Sequence, residues 1–133
     1  MFHLASETTE DFWEVEALYD LCFGPGRQAL SSYRLREGVA ALRNLSYTVR
    51  DPDRILAGAI RCWPIHIAGV DAILLGPIAV HPTRQGEGLG SFLIKESLSS
   101  ARSQGWQRVL LVGDAPYYCL LYTSPSPRDL QGS

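Results

Sequence analysis

The chain lacks the features that mark membrane, secreted or metal-binding proteins. No apolar run in its 133 residues approaches the roughly 20 residues needed to cross a bilayer. No charged-then-apolar leader opens it, so neither a membrane association nor a secretory route is expected. There are three cysteines, Cys22, Cys62 and Cys119, widely spaced and without a CxxC pair. That excludes a disulfide framework and points to free thiols in a reducing compartment, the cytoplasm. His3, His66 and His81 show no metal-ligand spacing, so no metal is expected. Twelve Lys and Arg stand against fourteen Asp and Glu, a net charge of −2, which leaves no basic field to recruit nucleic acid. No internal repeat is present. The length suits one domain with a real core and is too short for two.

What the chain does have is concentrated in Val80-His81-Pro82-Thr83-Arg84-Gln85-Gly86-Glu87-Gly88-Leu89-Gly90. An apolar, strand-like run from Ala72 to Val80 precedes it. An apolar-periodic helix follows, from Leu89 to about Gln104. A glycine-dense loop therefore sits at a helix N-terminus, where unpaired backbone N–H groups and the helix dipole favour an anion, most often a phosphate. The plainer alternative is a strand-to-helix turn with convenient glycines and no ligand.

Three glycine-loop chemistries compete. A Walker loop needs Lys followed by Ser or Thr after its glycines, and neither pair is there. The dinucleotide fingerprint GxGxxG would place Ser91 at its third glycine. The spacing present is Gln85-x-x-Gly88-x-Gly90 behind Val80-x-Pro82. This resembles the acyl-CoA-binding motif of the GNAT acyltransferase superfamily, (Gln/Arg)-x-x-Gly-x-(Gly/Ala).

The remaining elements can be read from periodicity. Phe2 to Ala5 is a short strand. Ser6, Thr8 or Thr9 caps a helix that begins near Glu10 and Asp11 and runs to about Phe23. Its apolar face is Phe12, Val15, Leu18, Tyr19 and Cys22. Gly24-Pro25-Gly26 ends it, and Gln28 to Gly38 is a second helix or a loop. Leu45 to Arg50 and Ile55 to Ile67 are strands around the turn Asp51-Pro52-Asp53-Arg54, with Pro64 marking a bend or an edge. Ala68 to Asp71 is a turn leading into the strand Ala72 to Val80. The helix from Leu89 carries a polar stripe of Ser91, Lys95, Ser99 and Arg102, with Leu89, Phe92, Leu93, Ile94, Leu98 and Ala101 covering most of the rest. Gly105 caps it, and Arg108 to Val112 is a buried strand. Strand, loop, helix, strand is a βαβ crossover, so the last two strands should run parallel. This order matches that of the GNAT superfamily over residues 1–118.

The resemblance carries specific expectations. The fold is α/β in the sense of an α+β mixed sheet, the GNAT acyl-CoA N-acyltransferase fold. The strand before the loop should bulge and splay from its parallel neighbour, and Gly76-Pro77 is where a break is physically expected. Ile78, Ala79 and Val80 would offer backbone contacts to pantetheine. Gln85, Gly86, Glu87, Gly88, Leu89 and Gly90 would line the pyrophosphate, and Ser91 would add a hydroxyl or merely cap the helix. Arg84 would add charge to a phosphate or lie solvated. Tyr118, with Tyr117 as alternative, would be the acid that protonates the departing thiolate; the plain reading of either is a packed ring with a tied hydroxyl. Asp114 stands where many relatives carry a pantetheine-binding asparagine. Glu37, His66, His81 and Asp114 are the titratable residues near plausible active-site elements, and none is singled out as the base. The basic cluster Arg27, Arg34 and Arg36 would attract an acidic acceptor or form a charged exposed face.

The segment from Cys119 to Asp129 reads differently. It resembles the translation of a sequencing adapter, and Ser124-Pro125-Ser126-Pro127 cannot continue a helix or strand. The plainer alternative is a flexible Ser/Pro tail. Residues 1–118 are thus expected to form an acetyltransferase domain that is C-terminally truncated, and residues 119–133 a non-native or disordered tail.

The implied function is N-acetyl (acyl) transfer from acetyl-CoA, or another acyl-CoA, as co-substrate to a primary amine on a small molecule or peptide, by direct attack in a ternary complex. A homodimer is left open. The rivals are a non-catalytic acyl-CoA-binding module, an inactive truncated fragment, and a nucleotide-binding α/β domain.

Overall fold

A computed structural model describes residues 2–24, 38–112 and 119–123, the last five by backbone alone, as are Ile67, Leu111 and Val112. In chain order the elements are β1 (His3–Ser6), α1 (Phe12–Phe23), β2 (Tyr47–Arg50), β3 (Leu56–Ile67), β4 (Val70–Val80), α2 (Leu89–Ser103), β5 (Arg108–Val112) and β6 (Cys119–Thr123). Short 3₁₀ turns cover Thr9–Asp11, Arg43–Leu45 and Pro82–Arg84. The strands form one mixed sheet in the order β1 to β6. Every neighbouring pair is antiparallel except β4 and β5, which run parallel across the α2 crossover. The expected second helix or loop at 28–38 lies, apart from Gly38, outside the described residues.

The two described helices pack on the sheet through separate cores. Leu89, Leu93, Leu98 and Ala101 of α2 close over Leu45, Val49, Ile60, Cys62, Ile73 and Leu75. Gly58 lets this helix lie close, because a Cβ there would meet Val49, the Ala79 carbonyl and Leu93 at 3.1–3.2 Å. Val15, Leu18 and Tyr19 of α1 pack on Leu56, Ala59 and Ala79. Arg50 ties the start of α1 to β2 through Asp11 at 3.0 Å and Glu14 at 2.7 Å.

Several local expectations are corrected by packing. Phe12 is exposed and Cys22 only half-buried; the α1 residues buried against the sheet are Val15, Leu18 and Tyr19. Phe92 is likewise exposed, and Ser97 takes a fully buried place on α2, donating its hydroxyl to the Leu45 carbonyl at 3.0 Å. The β3–β4 turn is tighter than its sequence suggests. Ala68 and Gly69 both take positive φ (52° and 81°), so β4 starts at Val70 and not at Ala72. Leu45 belongs to a 3₁₀ turn, and the strand begins at Tyr47. Pro64 is an edge position, since the pairing of β3 with β2 ends at Ile60. No element was expected after Tyr118, yet Cys119–Thr123 pairs antiparallel along the whole of β5.

Candidate functional site

The site begins with one extra residue in β4. Between Ile60 and Cys62 of β3 there is one residue; between their partners Ile78 and Leu75 there are two, Gly76 and Pro77. This bulge is the break expected at Gly76-Pro77. Among the described residues the parallel pairing of β4 with β5 covers Ile73, Leu74 and Leu75, and it stops where the bulge begins. Beyond it, the His81 N–H donates to the Ala57 carbonyl at 2.8 Å. With the register Gly58–Val80, Ala59–Ala79, Ile60–Ile78, that bond makes Ala59–Ala79 the hydrogen-bonded pair. Ile78 and Val80 therefore turn their N–H and C=O groups away from β3, toward the gap. Ala79 faces β3 instead, so of the three strand residues read from the sequence two offer their backbone groups to the gap.

At the far end of this gap the chain enters the glycine loop. Gly86 and Gly88 both have positive φ (87° and 80°), and Gly88 is the left-handed N-cap of α2. A glycine cap has no side chain to satisfy the first-turn amides, so they remain available for an anion. Gly90 differs: its φ is unexceptional, and a Cβ there would touch only Val80 Cγ2 at 3.8 Å. The fold does not demand glycine at this position. Ser91 is exposed on the first helical turn.

Ile78, Ala79, Val80, Gln85, Gly86 and Leu89 line one cleft of about 320 Å³. Cys22, Phe23 and Arg84 complete its walls. The sequence reading missed Cys22 and Phe23 as wall residues, since only the packing of α1 brings its last turn to β4. The Cys22 thiol donates to the Val80 carbonyl at 3.4 Å. Burial raises the Cys22 pKa. Cys62 is fully buried, and burial pushes its thiol up to about 12.

Arg84 is held by partners although about a third of its side chain (36%) stays exposed. It donates to Asp51 at 2.9 Å, stands 4.0 Å from Glu87, and lies over the Phe2 ring at 5.4 Å. Asp51 is buried and its other oxygen accepts the N–H groups of Asp53 and Ile55, each at 2.9 Å. Those bonds, led by the Ile55 amide and joined by Arg84, hold its carboxyl below the usual range. The β2–β3 turn thus braces the loop. The only signal for this in the sequence is an Asp-Pro-Asp-Arg turn, which says nothing of a partner 33 residues away.

Of the remaining sequence candidates, the two described ones, His66 and His81, do not gather at the gap. His66 is exposed at the β3–β4 hairpin end and pairs with Asp71 at 2.9 Å. His81 accepts from the Thr83 amide at 3.2 Å and caps the 3₁₀ turn. Tyr117, Tyr118, Asp114, Glu37, Arg27, Arg34 and Arg36 lie outside the described residues. A group the sequence reading did not find is Arg61, buried on β3 opposite the bulge. It donates to Glu7 at 2.9 and 3.0 Å and also bonds Glu16. Burial works against its charge, but Glu7 and Glu16 hold its pKa above the ordinary arginine value. Among the described residues no cluster of His, Cys, Asp and Glu could hold a metal, and no helix is long and apolar enough to cross a membrane.

Comparison with known proteins gives a consistent result. The sequence model of the Acetyltransferase (GNAT) family matches residues 12–117. A GNAT family acetyltransferase from Brucella melitensis, solved in complex with acetyl-CoA, is 26% identical, with a TM-score of 0.69 over 96% of this chain and 92% of that one. The GNAT family N-acetyltransferase YhbS from Escherichia coli, solved with CoA, is also 26% identical, with a TM-score of 0.70 over 85% of this chain and 63% of its own. The NatC complex bound to Gag peptide and CoA shares the fold at 18% identity, with a TM-score of 0.66 over 86% and 76% of the two chains. No curated protein sequence matches the chain.

Proposed function

The chain belongs to the GNAT acetyltransferase family, and from that premise we propose that it transfers an acetyl group from acetyl-CoA to a primary amine. The observation that carries the reading is the continuity of one cleft. It runs from the outward-facing backbone of Ile78 and Val80, where β4 and β5 part, to the uncapped N-terminus of α2 at Gly88. The strand would hold the pantetheine amides as a missing strand would, and the loop amides of Gln85 to Gly90 would hold the pyrophosphate. Acetyl-CoA complexes in the Brucella relative, and CoA in the Escherichia coli one, support this reading further.

The chemistry asks mainly for orientation. The bound thioester supplies the acyl group and a thiolate leaving group. Seating the thioester beside the amine replaces a bimolecular encounter with a positioned one. In this reading the amine attacks the thioester carbonyl directly, loses its proton to a base or a water chain, and the thiolate leaves with a proton from Tyr118, or from Tyr117 in its place. The peptide bound by the NatC complex and the amine chemistry of the family support a peptide or small-molecule acceptor. The free thiols Cys22 and Cys62 support a reducing compartment, the cytoplasm.

Thermal unfolding with acetyl-CoA, ATP and NAD in parallel tests the ligand, since a ligand that binds only the native state raises the midpoint. A rise with acetyl-CoA alone supports the reading, and a cooperative transition that acetyl-CoA leaves unmoved sinks it. Release of CoA thiol with a panel of amines then tests transfer. If replacing both Tyr117 and Tyr118 by Phe leaves the rate unchanged, the acid role assigned to them fails.

A further inference from the structure

We propose that Tyr19 and Trp63 are positioning residues for acyl-CoA, holding the β4 bulge in the register that turns Ile78 and Val80 toward the ligand. This rests on the acyl-CoA reading above and adds to it the residues that make the binding strand correct.

The effect of the bulge on that strand can be worked out from the backbone. Cys62 gives its carbonyl to the Leu42 N–H at 2.8 Å and its N–H to Ser46 Oγ at 3.0 Å, so it is turned away from β4. By strand alternation Ile60 and Gly58 are turned away too, and their partners across the ladder are turned away from β3. With the extra residue, those partners are Ile78 and Val80. Without it, Ile60 would stand opposite Pro77 and Gly58 opposite Ala79. The gap would then be faced by Ala79 and by a proline, which has no N–H, while Ile78 and Val80 would bond to β3. A one-residue slip therefore exchanges every group the ligand strand would meet.

Two side chains hold the bulge. The Trp63 indole N–H donates to the Gly76 carbonyl at 2.7 Å, and the Tyr19 hydroxyl donates to the Pro77 carbonyl at 2.7 Å. These are the carbonyls of the two bulged residues. Trp63 and Tyr19 are 8% and 0% exposed, so water does not replace either bond when it is lost. The donors come from different elements, β3 and α1, and clamp the bulge to both. Arg61, opposite the bulge and fixed by Glu7 and Glu16, lies 5.2 Å from the Tyr19 ring centre and limits where that ring can go.

The test uses Tyr19→Phe, which removes only the hydroxyl, and Trp63→Phe as a second variant. Ala101→Gly, in the last turn of α2, serves as a control that lowers stability away from the bulge. Unfolding midpoints are measured first, then binding of acetyl-CoA and of the nucleotide half of CoA without pantetheine, at a temperature where all variants are folded. Tyr19→Phe and Trp63→Phe should each weaken acetyl-CoA by about fivefold or more, the equivalent of one buried hydrogen bond. The nucleotide half, held by the glycine loop, should bind as in the parent. The KM for acetyl-CoA should rise while that for the amine stays constant. The double variant should lose less than the product of the singles, because one slip serves both. Ala101→Gly should lower the midpoint and leave acetyl-CoA affinity unchanged. Tyr19→Phe and Trp63→Phe chains that bind acetyl-CoA as tightly as the parent would overturn the positioning role and leave the acyl-CoA reading intact. A folded parent that binds no acetyl-CoA would overturn both.

Discussion

A methyl group added at Gly88 and one added at Gly90 should act in opposite directions on stability, and only the first should remove ligand. At Gly88 a Cβ would meet nothing within 4 Å, so its cost is purely the backbone: φ of 80° is unfavourable for alanine. That penalty is about 1–2 kcal/mol. At Gly90 the backbone is helical and the nearest atom, Val80 Cγ2, would be at an ordinary 3.8 Å. Alanine there should stabilise by up to about 1 kcal/mol, because it loses less conformational freedom in a helix. For a chain of this size about 1 kcal/mol moves the midpoint by about 3–5 °C, so Gly88→Ala should melt lower and Gly90→Ala higher than the parent. Relief of strain at residue 88 rotates the adjoining peptide groups, and with them the amides that face the anion. Acetyl-CoA at a hundred times its Kd adds about 2.7 kcal/mol to the parent, and a variant binding tenfold more weakly keeps about 1.4 kcal/mol. Thermal unfolding with and without acetyl-CoA reads both quantities in one experiment. Gly88→Ala should lose at least that half of the ligand shift. Gly90→Ala should keep its shift, since the GNAT-like spacing accepts alanine there. A folded Gly88→Ala chain with the full shift would show that the anion does not sit on this loop, and a destabilised Gly90→Ala chain would refute the packing argument.

Three other outcomes follow from the same geometry. Glu87 is a half-exposed negative charge inside the loop. Glu87→Gln should tighten acetyl-CoA by about two- to fivefold, an effect that shrinks in high salt, while costing about 0.3–1 kcal/mol of helix-end stabilisation. Titration calorimetry at two ionic strengths checks this, and unchanged affinity at low salt would count against a phosphate beside Glu87. Cys22 lines the cleft and Cys62 is sealed in the core, so in a Cys119→Ser chain maleimide should modify Cys22 alone, faster as pH rises, and acetyl-CoA should protect it. Mass spectrometry showing equal modification with and without acetyl-CoA would remove Cys22 from the binding cleft. Asp11 is held below its ordinary value of 3.8, despite burial, by Thr8 and Arg50; Glu14 is held below 4.5 by Arg50, and Asp51 below 3.8 by the Ile55 amide and Arg84. Each carboxyl binds its proton more weakly folded than unfolded, so its stabilisation is complete above the unfolded value and is lost as pH falls through the folded one. The unfolding midpoint should be level from pH 7 to 5 and fall below about pH 4. A decline that starts near pH 6 would mean that some other group controls acid stability.

The elements of this chain were legible because they are local. Alternation marked β2 and β3, three-and-four spacing marked α1 and α2, and Gly76-Pro77 marked the break in β4. The tight Ala68-Gly69 turn was less legible, since alanine at positive φ has no signal of its own. The exposed faces of Phe12 and Phe92 were not legible at all, because burial depends on what the opposing surface can cover. A strand at Cys119–Thr123 is not expected from a segment that resembles translated adapter and runs into Ser-Pro repeats, whereas its pairing is set by the whole edge of β5.

Sequence by itself determined the backbone of the loop: glycines before an apolar-periodic helix leave first-turn amides without intrahelical partners and allow left-handed backbone, wherever the rest of the chain lies. Tertiary structure decided what the loop and strand can do. For Arg84 the sequence leaves phosphate or water open, and folding adds a partner it does not show, Asp51, from a turn brought alongside at 2.9 Å. Ile78, Ala79 and Val80 are indistinguishable as apolar strand residues. Which of them faces the gap depends on one bulged residue, held by a tyrosine from α1 and a tryptophan from β3, and a strand's register is a property of its neighbours.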